Sequence, residues 1–441
     1  MFSNADLKKL IVPLFLEQFF VMLVGLADVF IVSFAGQAAV SGVSLVNSFN
    51  TVFINLFVAL ASGGAVVISQ YIGKGERGRA GEAASQLLVS SVLFSVAMAL
   101  IVLLLHGPLL RLMFGRVEAD VMDACVIYLK ISAYSYPAMA VYNAGAALYR
   151  SMGKTRTTMY ISVIANVINV VGNCIGVFVL HAGVAGVAWP SLISRVFSAA
   201  VIVALCFSRK LPVRYDLRWI FKLSGDLQKR ILRIAVPNGV ESGLFQLVKV
   251  ALSSVVALFG TYQIAANGVA QSIWSMAALS GVTMGPVFIT VIGQCMGADD
   301  ASAATHYFKK LMKITMVFTV VWNGLVFAAT PVMMHFYSLE SETKRLVVML
   351  VLIHNLFNAL VFPFSDPLGK GLRATGDIFF TTAVSLFTTI GVRLIFSMLF
   401  AIVMDMGVIG IALAMCLDWT VRGVMFWLRF RRGRWKSFKV I

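Results

Sequence analysis

Apolar runs long enough to cross a bilayer recur twelve times in this chain, and no other feature narrows the fold as far. A membrane-spanning helix needs about 20 predominantly apolar residues. Such runs fall near 10–34, 44–72, 84–106, 124–149, 157–180 and 185–208, and again near 232–258, 268–296, 309–335, 345–372, 378–404 and 408–430. Composition agrees: 60% of the 441 residues are apolar and 12% are charged, far from the balance of soluble domains. The expected fold class is an all-α polytopic membrane protein of twelve transmembrane helices. The first run is too long for a signal-peptide core and lacks a small-residue cleavage site before the next helix, so it is expected to be retained.

Charge orients the bundle, because Lys and Arg accumulate in cytoplasmic loops. The side holding both termini carries 27 of the 36 basic residues, including Lys8, Lys9, Arg150, Arg373 and the 209–233 cluster, against four (Arg111, Arg116, Lys344, Arg345) on the other side. Both termini are therefore expected in the cytoplasm, with the chain in the plasma (inner) membrane. The net charge of +17 follows from this topology and from anionic lipid headgroups, and no soluble basic domain supports a nucleic-acid partner. The five cysteines (Cys125, Cys174, Cys206, Cys295, Cys416) lack metal or redox spacing. No P-loop, GxSxG or HExxH pattern is present. We expect no enzyme, no cofactor and no resident metal, and a partner list of lipid and a small amphipathic substrate, acting on a monomer.

The chain also repeats itself. An offset of 224 residues pairs Val12, Pro13 and Glu17 with Val236, Pro237 and Glu241, then Gly36 with Gly260. It also pairs Ile68, Gln70 and Gly73 with Ile292, Gln294 and Gly297, and Gly183, Gly186 and Ala188 with Gly407, Gly410 and Ala412. Six helices are thus duplicated, and six being even, both copies enter the membrane from the same side as parallel repeats. The expected organisation is an N-terminal bundle (1–208), a cytoplasmic linker (209–230) and a C-terminal bundle with a basic tail (231–441). Two such bundles rocking about a central site are a transporter's architecture.

The segments EQFFVMLVGLADVFIVSFAG (17–36), SQYIGKGERGRA (69–80), YRSMGKTRTTMYISVIANVINVVGN (149–173) and GVAGVAWPSLISR (183–195) resemble the multidrug and toxic compound extrusion (MATE) superfamily. IGQCMGADDASAA (292–304) and LRATGDIFFTTAVSL (372–386) fit it in the second half. The resemblance implies a twelve-helix secondary antiporter with a V-shaped cavity between two bundles, exporting amphipathic, often cationic, compounds in exchange for Na+ or H+. A flippase for lipid-linked oligosaccharide, on a related fold, is the alternative; such proteins often have fourteen helices and a strongly cationic cavity.

An ionised side chain in hydrocarbon costs about 3 kcal/mol on insertion scales, so each one kept there is a functional candidate. The acids inside predicted spans are Glu17, Asp28, Glu241, Asp366 and Asp418, and the bases are Lys130, Arg195, Lys249, Arg393 and Arg422. Asp28 lies some 18 residues into its run, roughly 27 Å along a helix axis, and its repeat counterpart is Leu252. The resemblance implies that an aspartate in this GxxD setting is the cation or proton site of the first bundle. Asn169 and Asn173, one turn apart, join it; relatives place an Asn and then an acid there. A carboxylate beside amide oxygens suits a hard cation such as Na+ or a protonatable Asp. The competing expectation is an Asp28–Lys130 ion pair.

Glu17 and Glu241 each follow a proline by one turn, making them candidates for an inner gate. The helix 7 acid by which some relatives bind the coupling ion would fall at Phe245. Glu241, Asp366 and Arg393 are the second-bundle candidates, either as an ion site or, with Lys249, as a structural network in which Arg393 could pair with Glu241. Arg195, Asp418 and Arg422 are expected to anchor helices. Gln18, Asn47, Asn50, Asn55, Gln271 and Trp274 are the candidate substrate-cavity residues.

Overall fold

The computed structural model describes residues 2–115, 117–335, 337 and 339–441. Arg116, expected on the outer side, lies outside them. Every regular element among the described residues is helical, and the chain divides into two compact units, Phe2–Gly239 and Val240–Ile441.

The first unit contains α1 (Asn4–Ser33), α2 (Gln37–Gly73), α3 (Arg77–Phe114), α4 (Ala119–Tyr134), α5 (Tyr136–Ser151), α6 (Thr155–Cys174) and α7 (Ala185–Cys206). The short α8 (Leu217–Phe221) and the first half of α9 (Gly225–Val256) complete it. Ser3 starts α1 with a reciprocal cap: its hydroxyl accepts from Asp6 N–H while the Asp6 carboxylate accepts from Ser3 N–H. The run expected as one helix over 124–149 is two, α4 and α5, bent by 43° at Ser135. Pro137 explains the break, since it supplies no N–H and disfavours helical geometry just before it. The segment 209–230 folds back on α3. There Gln86 donates to the carbonyls of Trp219 (2.5 Å) and Lys222 (2.8 Å) and accepts from Ser224 N–H (3.2 Å), and Tyr215 is buried.

The second unit holds the rest of α9, α10 (Thr261–Gly297), α11 (Ala301–Met334), α12 (Ser341–Leu360), α13 (Phe362–Ser365), α14 (Pro367–Ala374), α15 (Ile378–Leu386), α16 (Ile395–Met398) and α17 (Gly407–Arg432). Among the described residues, eleven helical stretches are long and apolar enough to cross a membrane, and the bent α4–α5 pair makes a twelfth span. Large apolar side chains such as Leu104, Leu112 and Phe379 point outward, as a lipid-facing surface requires. The chain is a multi-pass membrane protein.

The duplication is visible in the backbone. Gly36 and Gly260, which start α2 and α10, have φ of 108° and 83°, a region that only glycine enters without steric cost. Gly183 and Gly407 both have φ of 56°. The π-helical turns Ile175–Val179 and Leu399–Val403 also lie 224 residues apart. Arg150 and Gly153 match Arg373 and Gly376 at 223 instead. A further π segment, Phe387–Leu394, lies between those pairs and the later matches; a π turn is how a helix absorbs one extra residue.

Candidate functional site

The duplicated Pro–Glu element builds the same contact twice. Glu17 is buried and accepts from Arg150 Nη2 at 2.7 Å, from Thr158 Oγ1 at 3.1 Å and from Tyr142 OH at 3.3 Å. Glu241 accepts from Arg373 Nη2 at 2.6 Å. The expected Glu241–Arg393 pair is thereby corrected. Arg393 lies about four turns into the span that begins at Ile378, whereas Arg373 precedes that span, at the level of Glu241. Asp366 pairs within its own helix end with Lys370 at 2.9 Å, so Glu241, Asp366 and Arg393 do not gather into one site. The two arginines were assigned to loops from sequence; the shared Arg-x-x-Gly at Arg150 and Arg373 was the signal that could have linked them to the glutamates.

Asp28, Asn169 and Asn173 do come together. Asn173, fully buried on α6, donates from Nδ2 to Asp28 Oδ1 and to Asn169 Oδ1, each at 2.7 Å. Asn169 donates to Ser191 Oγ at 3.1 Å, which is itself tied to the Val187 carbonyl. Asn173 Oδ1 is buried without a hydrogen-bond partner, and such an orphan acceptor beside a carboxylate calls for a proton donor or a cation. Asp28 faces a cavity of about 110 Å³ shared with Gly25, Asn47 and Tyr128, where Tyr128 OH donates to Asn47 Oδ1 at 3.1 Å. The expected Asp28–Lys130 pair does not form: Lys130 is exposed, and Asp28 makes no ion pair among the described residues. Arg195 donates instead to Ser135 Oγ at 2.6 Å.

The second unit has a cavity of about 90 Å³ at the equivalent place, lined by Phe245, Lys249, Gln271, Trp274, His354 and Arg393 among others. Seven pairs of lining positions are related by the 224-residue offset, among them Gly25 and Lys249, Asp28 and Leu252, Val43 and Asn267, Asn47 and Gln271, and Val187 and Ile411. The one acid of the first cavity is thus an apolar residue in the second, and a glycine is a lysine. Arg393 stacks its guanidinium 4.8 Å from the Phe245 ring and lies 3.8 Å from Asp418, which Arg422 holds at 2.8 Å. Arg422 also donates to Thr388 and Thr389, so Asp418 and Arg422 anchor α17 to the π segment.

The remaining candidates are dispersed. Asn50 is buried, accepts from Tyr136 OH at 2.7 Å and so does not face open space. Asn47 lines the first cavity; Gln271 and Trp274 line the second, Trp274 stacked 5.8 Å from Trp419. Gln18 and Asn55 are half-buried on α1 and α2. His354 was missed altogether, because a lone histidine in an apolar run carries no pattern; its side chain is 1% exposed on the second cavity.

Twelve apolar spans among the described residues, in two duplicated units that each hold a polar cavity, define a membrane transporter built from two repeats. The MatE family model matches residues 13–175 and 237–399, two copies set apart by the same offset of 224, and the chain belongs to that family, the MATE multidrug efflux transporters. It is 25% identical to the uncharacterized transporter YisQ of Bacillus subtilis, covering 96% of this chain and 93% of YisQ. It is 22% identical to the probable multidrug resistance protein NorM of Thermotoga maritima, over 99% and 94%. Its fold is similar to that of a MOP superfamily transporter from Pyrococcus furiosus, with a TM-score of 0.91 at 20% identity over 98% and 96% of the two chains.

Proposed function

We propose that the chain is a secondary active antiporter exporting amphipathic, often cationic, compounds in exchange for Na+ or H+ by alternating access, with Asp28 holding the coupling ion. The observation that carries this reading is the cluster of Asp28, Asn173 and Asn169: a membrane-embedded carboxylate, no ion pair among the described residues, an unpartnered amide oxygen and an adjoining cavity. A carboxylate that any fixed cation neutralised would have no reason to exchange one. Bound Na+ would take oxygens from Asp28 and, after an amide rotation, from Asn173; a bound proton would let Asp28 donate to that same oxygen. Both termini face the cytoplasm of a plasma (inner) membrane in this reading, supported by the 27 of 36 basic residues on their side, and the protein works as a monomer.

The test is transport by the purified protein in liposomes under imposed Na+ or pH gradients. Export that stops on removing Na+ at constant pH identifies Na+; export that stops only when the pH gradient collapses identifies H+. Asp28→Asn is expected to lower driven export about 100-fold, to the leak of empty vesicles. Wild-type export by that variant would overturn the assignment, and gradient-independent movement of a lipid-linked oligosaccharide would favour the flippase alternative.

A further inference from the structure

We infer that the cavity of the second unit is an anion site that takes a small aromatic carboxylate. Two cations face it, Lys249 and Arg393; the only acid near them among the described residues, Asp418, is shared between Arg393 and Arg422, and the other acids of the unit's interior are held by other cations. Glu241 is held by Arg373, Asp366 by Lys370 and Asp377 by Arg429, while Asp418 is bound at 2.8 Å by Arg422 and only approached, at 3.8 Å, by Arg393. Lys249 forms no ion pair among the described residues. It lies ten residues before the end of the span at Phe259, roughly 15 Å along the axis and so near the middle of a ~30 Å hydrocarbon layer. A cation at that depth needs a counter-charge.

The wall is built for a flat anion. His354 is buried, lines the cavity and has neither ring nitrogen hydrogen-bonded; Trp274 Nε1 is likewise buried without an acceptor. One N–H from each is free to donate to a carboxylate, beside two charge-assisted donors. The Trp274 and Phe245 rings offer faces on which an aromatic body can lie. The repeat supplies an internal control: the same position in the first unit has Gly25 for Lys249 and Asp28 for Leu252, so the two cavities carry opposite charge on matching backbones.

The test is calorimetric titration of the full-length purified protein with salicylate in chloride-free buffer, using its uncharged amide, salicylamide, as the probe of charge. No ion gradient is applied, so the result is independent of the role proposed for Asp28. Saturable salicylate binding at least tenfold tighter than salicylamide is expected. Lys249→Gln should weaken it at least tenfold with an unchanged melting temperature, Lys249→Arg should restore most of it, and Lys130→Gln in the other unit should change nothing. Equal binding of the amide, an unaffected Lys249→Gln variant, or full displacement of salicylate by equimolar chloride would each overturn the proposal.

Discussion

The cavities of the two units share a backbone and differ in sign. Around Asp28 the first holds one carboxylate and a chain of amides ending on Ser191; around Lys249 and Arg393 the second holds cations, aromatic rings and a buried imidazole. The difference teaches that a duplicated helical frame conserves the position of a cavity without conserving its chemistry. Helix packing and glycine turns set where the space lies, while a few side chains set what it attracts. Function therefore has to be argued cavity by cavity.

The two units can be set against each other by substitution. The largest effect is expected where both carry the same device at different burial. Arg150→Met strands Glu17, whose side chain is 3% exposed, and removal of one member of a buried pair costs about 3–5 kcal/mol. Arg373→Met strands Glu241, 21% exposed, and should cost clearly less. Thermal unfolding of both variants in detergent checks the order, and equal losses would break the comparison. Next, Gly25→Lys copies the second cavity's charge into the first. A Cβ at Gly25 meets no atom within 4 Å, so the protein should fold normally, while gradient-driven export falls about 100-fold, or about 2.7 kcal/mol, as the ammonium competes with the coupling ion for Asp28. Unchanged export would separate Asp28 from coupling.

Asn173→Leu sharpens the first cavity further. It removes the donor that holds Asp28, a bond to a charged group worth about 1.5–3 kcal/mol, and export should fall about 10- to 100-fold with the fold retained, as checked by initial rates in liposomes. Tyr128→Phe is the smallest perturbation: loss of its neutral bond to Asn47 is worth about 1 kcal/mol and should alter the initial rate by no more than about fivefold.

Much of the frame was legible in the residues. The period of apolar runs located every span, and the 224-residue offset anticipated glycines that share unusual backbone angles. Asp28 with Asn169 and Asn173 was readable through the family resemblance, and the i, i+4 spacing that puts both amides on one helical face agrees with it. Partner choice was not. Glu241 and Arg373 lie 132 residues apart, and a local count placed the arginine in a loop; depth in the membrane decided the pairing, and depth is blurred by the bend at Ser135, by the breaks at Val361 and Asp366 that divide the expected 345–372 span into α12, α13 and α14, and by the extra π segment. The second cavity was opaque for another reason. Lys249, His354 and Arg393 sit on three separate helices, and only tertiary packing makes them neighbours.

The glutamate clamp has a bearing on how the protein is made. Glu17 enters the membrane in the first span, but Arg150 follows it by 133 residues, and Glu241 waits 132 residues for Arg373. During synthesis each acid must remain hydrated or protonated until the end of the fourth span of its own half arrives. Each half therefore carries a late-closing lock, and a chain truncated before Arg150 presents an unmatched carboxylate by which membrane quality control can recognise an unfinished product.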